Sequence, residues 1–278
     1  MASNCILPRI RGRARSRSLC DILAEGHELV RRGHKELVIT GVNIGTYQSE
    51  QFTLADVARL LSEIPGVERV RISSIEPSTV SDDLLQWMAE SPKACRHLHL
   101  PLQSGDDSVL SRMKRVYTTS EYARFVENAK SLMPDLGLGT DVMVGFPGES
   151  EREFTNSRQF VESMPFSYLH VFSYSDRPKT ASLYHDGKVQ SPVLKDRSQV
   201  MHDLALRKKQ DFFGQHVGRS VDVLFETVDE DGWRKGFTGS YLRVAIAPEG
   251  ARENTMAAAD IVEVSTEFCL GQIPQVAA

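Results

Sequence analysis

Between residues 18 and 174 the hydrophobic positions alternate between a helical period and a strand period. Ser18 and Asp21 resemble a capping box before an apolar stripe that ends near Gly33, and Thr53 and Asp56 begin a second helix. Strands are predicted at 37–39, 70–74, 97–100, 138–144 and 168–172, and further helices from 81 and at 104–113, 119–132 and 149–163. Strands that alternate with helices predict right-handed crossovers and a parallel sheet. Five strands are too few for a closed eight-stranded barrel, so we expect an α/β fold with an open or partial parallel (β/α) barrel.

After Pro192 the pattern changes. Residues 193–213 predict one long polar helix, rich in lysine and arginine near its end. From Gly218 onward, short alternating segments at 221–225, 237–244 and 261–264 are separated by glycines. They predict a small all-β barrel. The expected division is therefore an α/β domain at 1–190, a connecting helix at 191–213 and a β domain at 214–272.

Composition narrows the class of protein. The chain has 278 residues, 41% hydrophobic and 25% charged, which is ordinary for a globular protein with a large core. No apolar run approaches the roughly 20 residues of a membrane span, and no apolar stretch follows the basic N-terminus as in a secretory signal. We therefore expect a soluble, cytoplasmic protein. The four cysteines are scattered, so each is expected to be a buried apolar thiol rather than part of a disulfide framework.

Charge is uneven along the chain, although its net value is only −4. Every second residue from 9 to 17 is an arginine: Arg9, Arg11, Arg13, Arg15 and Arg17. In an extended segment this period places all the guanidinium groups on one side. The segment is either a solvated basic arm or a local contact for a polyanion.

Polar residues and glycines follow each predicted strand, at 40–43, 73–77, 102–105, 145–149 and 173–175. Polar loops are common, but ligands of parallel α/β sheets gather at the carboxyl ends of the strands. The repetition indicates a shared pocket at that edge.

Several segments resemble the motifs of radical S-adenosylmethionine (SAM) methylthiotransferases. They are HLHLPLQSG at 97–105, MKRVYT at 113–118, GTDVMVGFPGE at 139–149, Arg11-Gly12 with Arg15-Ser16-Arg17, and FSYSDRPKT at 172–180. The last has Lys179 where the family usually has glycine. The resemblance covers essentially the whole chain. It implies a radical SAM partial (β/α) barrel without its first strand, followed by a TRAM-like RNA-binding β-barrel at 214–272.

The family resemblance implies two cofactors, a [4Fe-4S] cluster and SAM. Three cysteines of a C-x-x-x-C-x-x-C motif hold the cluster in this family, and Asn4-Cys5-Ile6-Leu7-Pro8 aligns with the end of that motif. Cys5 is thus the expected third ligand, whereas Ala2 stands at the second and the first would precede Met1. We also expect this chain to lack the family's N-terminal domain, which has three further cysteines. We therefore expect a fragment that is inactive as written; the alternative is a non-catalytic SAM- or RNA-binding remnant.

The resemblance also implies roles for individual residues. The SAM cleft is expected to contain Gly41, Asn43, Ser74, Glu76, Gln103, Ser104, Arg115, Asp141 and Gly145. Arg115 would pair with the carboxylate of SAM, or is a surface arginine. Glu149 would belong to this edge or cap the helix that it begins, and His170 and Tyr174 would face the pocket or the core. RNA contacts are expected from Arg11, Arg13, Arg15 and Arg17.

Residues 40–47, TGVNIGTY, resemble the branch that acts on N6-threonylcarbamoyladenosine at position 37 of tRNA. The implied reaction adds a methylthio group to C2 of that adenine, with the tRNA anticodon stem-loop as partner. Contacts with phosphates would provide affinity, and contacts with bases splayed out of the loop would provide specificity. The isopentenyladenosine branch is one alternative. Another is an ordinary acid–base enzyme, for which Glu76 with Asp141 is the only candidate pair.

Overall fold

The structure is a computed structural model that describes residue 12 and residues 14–274. Its α/β part contains β1 (Glu36–Ile39), β2 (Gln48–Ser49), β3 (Phe52–Thr53), β4 (Arg69–Ile72), β5 (His97–His99), β6 (Gly137–Val144) and β7 (Tyr168–Ser173). β1 pairs with β4 in parallel, and β5, β6 and β7 form a parallel sheet. Single parallel bridges, Val70 to Ala94 and Ser74 to His99, join the two groups. The predicted open series of parallel strands is confirmed; β2 and β3 form a separate small hairpin.

Helices cover the strands: α1 (Leu19–Arg31), α2 (Leu54–Glu63), α3 (Asp82–Glu90), α4 (Asp107–Arg112), α5 (Thr119–Leu132), α6 (Glu151–Ser163) and α7 (Ser191–Gly214). Thr53 and Asp56 form the complete capping box that the sequence predicts, whereas Ser18 only accepts a bond from the Asp21 amide. The helix expected at 104 begins later, because the Asp106 side chain accepts the amides of Ser108 and Val109. Within the described residues no helix is long and apolar enough to cross a membrane.

The C-terminal strands are β8 (Ser220–Val228), β9 (Arg234–Thr238), β10 (Arg243–Ile246), β11 (Thr255–Val264) and β12 (Cys269–Gln272). They close into a barrel in the order β10-β12-β11-β8-β9. The prediction of one strand over 237–244 is wrong, because the Tyr241 amide bonds to the Thr238 carbonyl and turns the chain between β9 and β10. β12 was not predicted. The domain bounds themselves stay a prediction.

This turn between β9 and β10 closes the amino-terminal end of the parallel strands. Arg69, the first residue of β4, donates to the Phe237 carbonyl at 2.9 Å. The Tyr241 ring stacks on His97, the first residue of β5, with the centroids 4.6 Å apart. A Cβ on Gly137, the first residue of β6, would lie 1.9 Å from the Ser240 carbonyl oxygen. The barrel therefore blocks one end of the strands and leaves their carboxyl ends clear.

Candidate functional site

A cavity of about 1500 Å³ opens where β1 and β4 end. Its wall includes the segment 40–44 after β1, residues from 76 to 79 after β4, and 114–117 after α4. Small-ligand sites commonly measure about 300–1,000 Å³, so the cavity has room for a ligand of nucleoside size. Its position at the carboxyl ends of parallel strands agrees with the edge that the sequence indicated.

Four of the predicted SAM-cleft residues line this cavity: Gly41, Asn43, Glu76 and Arg115. Two of the predicted RNA contacts, Arg15 and Arg17, lie in the same wall. Arg11, Arg13 and Cys5 lie outside the described residues.

Glu76 and Arg115 meet in the wall as an ion pair. Arg115 Nη1 donates to Glu76 Oε1 at 2.5 Å, and the Arg115 side chain is 12% exposed against 34% for Glu76. The Nε–H of Arg115 is buried and has no hydrogen-bond partner in the part of the chain that the structure describes. The guanidinium of Arg115 is already paired within the wall, and the Glu76 carboxylate is the more exposed member of the pair. That Arg115 also binds the carboxylate of SAM stays a prediction.

Residues 14–17, the described end of the arginine-rich segment and here called the arginine arm, are held against the cavity by the segment after β1. The Tyr47 hydroxyl donates to the Arg17 carbonyl at 3.0 Å, and the Gln48 amide donates to the Ser16 hydroxyl at 3.0 Å. Arg17 itself pairs with Glu25 at an exposed position. The arm and the cavity mouth therefore form one surface.

The other predicted cleft residues lie outside the cavity wall: Ser74, Gln103, Ser104, Asp141 and Gly145. Most of them contribute backbone contacts to the strand ends, as when the Gln103 amide donates to the Asp141 carbonyl at 2.8 Å. Ser104 is fully buried, and its hydroxyl accepts the Asp106 amide at 3.3 Å. Their contact with SAM stays a prediction.

Glu149 does not cap α6, since the helix begins after Ser150. Its carboxylate is buried and accepts the Gly145 amide at 2.8 Å and Arg197 Nη1 at 2.9 Å. Burial raises the pKa of Glu149 despite these two donors. The pair anchors the loop after β6 to α7. Sequence reasoning missed Arg197, because it lies in a helix that looks uniformly polar and nothing local distinguishes it.

A second group of polar side chains lies on β5, β6 and β7. His99 Nε2 and His170 Nδ1 lie 3.0 and 3.3 Å from Asp141 Oδ1. Burial opposes the charge of this carboxylate, but the hydrogen bond from His99 and the nearby imidazoles outweigh it and lower the pKa of Asp141. Asp141, predicted from the sequence to lie in the SAM cleft, is adjacent to the two histidines, and its contact with SAM stays a prediction.

The cysteines test whether the described residues fit an iron–sulfur cluster. Cys20 is exposed on α1, contrary to the expectation of burial, whereas Cys95 and Cys269 are buried. Burial raises the pKa of Cys95 to about 11 and of Cys269 to about 12, which opposes the thiolate form that binds iron. Cys269 lies in the core of the C-terminal barrel. The described residues therefore do not supply three thiolates to one cluster.

The open parallel strands and the cavity at their carboxyl ends are compatible with a radical SAM protein, and sequence comparison establishes the superfamily. The profile of the radical SAM superfamily matches residues 3–161, so the chain belongs to that superfamily. Membership implies SAM and a [4Fe-4S] cluster as cofactors.

The chain is 36% identical over 248 residues to threonylcarbamoyladenosine tRNA methylthiotransferase MtaB of Bacillus subtilis, covering 86% of this chain and 55% of that protein. It is 37% identical over 238 residues to tRNA-2-methylthio-N(6)-dimethylallyladenosine synthase of Acetivibrio thermocellus, covering 84% of this chain and 49% of that protein. The resemblance to methylthiotransferases is confirmed. The chain spans about half the length of these relatives.

Solved structures show the same fold. The radical SAM methyltransferase TsrM of Kitasatospora setae superposes with a TM-score of 0.56 at 16% identity, over 65% of this chain and 36% of that one. Coproporphyrinogen III oxidase HemN of Escherichia coli superposes with a TM-score of 0.52 at 13% identity, over 80% of this chain and 58% of that one.

Proposed function

We propose that this chain is the SAM- and RNA-binding part of a tRNA methylthiotransferase that adds a methylthio group to C2 of N6-threonylcarbamoyladenosine at position 37. The observation that carries the proposal is the cavity that brings Glu76, Arg115 and the arginine arm to one opening, in a chain similar to such enzymes. The partner is the tRNA anticodon stem-loop, and the place of action is the cytoplasm.

The branch is assigned from one segment. Relatives named for threonylcarbamoyladenosine and for dimethylallyladenosine are 36% and 37% identical, so overall identity does not separate them. Residues 40–47 line the cavity in part and hold the arginine arm through Tyr47. A difference in this segment therefore lies where the modified base and the neighbouring phosphates would meet the protein.

SAM binding is the first experiment. Calorimetric titration of the purified chain with SAM is expected to give one site, and Arg115→Met is expected to weaken it about tenfold or more, because a charge-assisted hydrogen bond is lost. Arg158→Met is the matched control, since Arg158 pairs with Glu162 on α6 and does not line the cavity. Absence of SAM binding, or equal losses in both variants, would contradict the assignment of the cavity.

RNA binding tests two proposals, that the arginine arm contacts phosphates and that the chain prefers N6-threonylcarbamoyladenosine. We expect an anticodon stem-loop carrying N6-threonylcarbamoyladenosine to bind more tightly than the same loop carrying isopentenyladenosine. Arg15→Gln is expected to lower the slope of log affinity against log salt by about one, because one phosphate contact is removed. The control is Arg31→Gln, at the end of α1. A preference for the isopentenyl loop would assign the chain to the other branch.

Residues 14–274 do not supply three thiolates to one cluster, which supports a second candidate function, a non-catalytic SAM- and RNA-binding protein. Anaerobic reconstitution with iron and sulfide tests this second candidate. We expect well below the four irons of a complete cluster per chain, and no 5′-deoxyadenosine from SAM. About four irons with 5′-deoxyadenosine formation would instead show that this chain holds the catalytic cluster, and the second candidate would be wrong.

A further inference from the structure

Three side chains from three adjacent strands converge at a point outside the wall of the SAM cavity. His99 comes from β5, Asp141 from β6 and His170 from β7, and one donor atom of each lies within 4.8 Å of the others. We call these residues the His–Asp–His cluster. None of them is in the wall of the SAM cavity, and the function proposed above gives the two histidines no role.

The distances suit a transition-metal ion. Bonds of about 2.1 Å to a tetrahedral zinc place two ligand atoms about 3.4 Å apart. The contacts of Asp141 Oδ1 with His99 Nε2 and with His170 Nδ1, at 3.0 and 3.3 Å, already have nearly that spacing. The remaining gap lies between the two imidazoles, and His170 has room to turn because its side chain is 57% exposed. Two imidazoles and a carboxylate are ligands that zinc and divalent iron or cobalt accept.

The surroundings orient the cluster as metal ligands require. The other ring nitrogen of His99, Nδ1, lies 3.1 Å from the Tyr168 hydroxyl, which also lies 2.9 Å from His97 Nε2. A metal-bound imidazole usually has such a partner on its second nitrogen, which fixes the ring and its tautomer. The His99 side chain is only 7% exposed, so the surrounding residues fix its position. The His170 side chain is 57% exposed, which leaves the cluster open on one side for an ion and a water.

We propose that His99, Asp141 and His170 bind one divalent transition-metal ion, with zinc the preferred metal, and that Tyr168 orients His99 toward it. The site is distinct from the iron–sulfur cluster of the family, because its ligands are nitrogen and oxygen and it needs no cysteine. With three protein ligands it retains an open position, as zinc sites that bind water do.

Cobalt titration tests the site directly. The full chain, without a histidine tag, is stripped with chelator and titrated with Co²⁺, followed by calorimetry and visible absorption, and Zn²⁺ is then added. We expect one Co²⁺ per chain, a spectrum without thiolate-to-cobalt charge transfer, and displacement by Zn²⁺. A thiolate band would place the ion on a cysteine and overturn the proposal, as would the absence of binding.

Variants assign the ligands. Tyr168→Phe is expected to weaken Co²⁺ binding about 10- to 100-fold, the usual effect of losing a partner behind the ligand, and His170→Ala and Asp141→Asn by at least as much. His27→Ala is the control, because His27 is an exposed histidine on α1. Melting curves without metal verify that each variant folds. His170→Ala is the variant expected to disturb folding least, because the His170 side chain is exposed. Unchanged Co²⁺ affinity in folded His170→Ala would refute the site.

Discussion

Replacing Arg71 with methionine removes one of the side chains that connect the parallel strands to the C-terminal barrel. Arg71 is 6% exposed and donates to both Glu36 oxygens, at 2.7 and 3.2 Å. It also donates to the Thr238 and Gly239 carbonyls, at 2.9 and 3.1 Å. Methionine keeps most of the apolar stem but has no donor, so the carboxylate and both carbonyls lose a partner.

The expected cost is about 3–5 kcal/mol of unfolding free energy. Breaking a buried ion pair by removing one partner typically costs that amount, because the other charge stays buried. Glu36 keeps its second partner, Arg69, which moderates the loss. Each buried carbonyl left without its donor costs about 1–3 kcal/mol of unfolding free energy, but such costs within one hydrogen-bond network are not additive. Burial raises the pKa of Glu36, and the hydrogen bonds and charges of the two arginines more than offset this effect.

Urea unfolding measures this cost. The chain has two tryptophans, Trp87 in α3 and Trp233 before β9, so single-tryptophan variants report each part separately. In the parent chain we expect coincident transitions, and in Arg71→Met a lower midpoint with the two transitions separated. Arg31→Met is the control, since Arg31 is 73% exposed and its pair with Glu28 contributes little. A shift for Arg71→Met no larger than the control's would refute the reasoning.

Three further changes have expected results. Gly137→Ala should destabilise the chain by about 1–3 kcal/mol in urea unfolding, because its Cβ would overlap the Ser240 carbonyl. The hydrogen bond from Arg112 lowers the pKa of Glu153 to about 2. The stability that this pair contributes is therefore complete above the ordinary pKa of 4.5 and is lost as the pH falls toward 2. In Glu153→Gln, the urea midpoint should fall less steeply with decreasing pH in this acid range. Lys179→Gly should raise the melting temperature, because Lys179 has φ 67° and glycine adopts that conformation without strain.

Each of these has a matched control. Gly239→Ala tests crowding at the same interface, where a new Cβ would meet only atoms at 3.9 Å; equal losses for the two glycines would contradict the steric argument. Glu127→Gln, on α5, should leave the acid limb unchanged, and an unaltered limb in Glu153→Gln would contradict the pair's role. Lys188→Gly controls for the loss of a lysine, and a fall in melting temperature for Lys179→Gly would show that its side chain matters more than its backbone.

The sequence by itself determined the order of most helices and strands and the edge where the site lies. Helix and strand periods are local, so the strands at 37–39 and 168–172 and the capping box at Thr53 were predictable from neighbouring residues. Gly41 and Asn43 were placed at the cavity because they directly follow a strand. The same local signals failed at 237–244, where apolar alternation continues through a turn.

Only the tertiary structure decided which distant side chains meet. Glu76 and Arg115 are 39 residues apart, His99 and Asp141 are 42, and Arg71 and Gly239 are 168. Such contacts depend on strand register and on how the C-terminal barrel packs against the strand ends, and neither leaves a periodic signal in the chain. The sequence therefore fixes what each residue can do chemically, while the packing decides which residues act together.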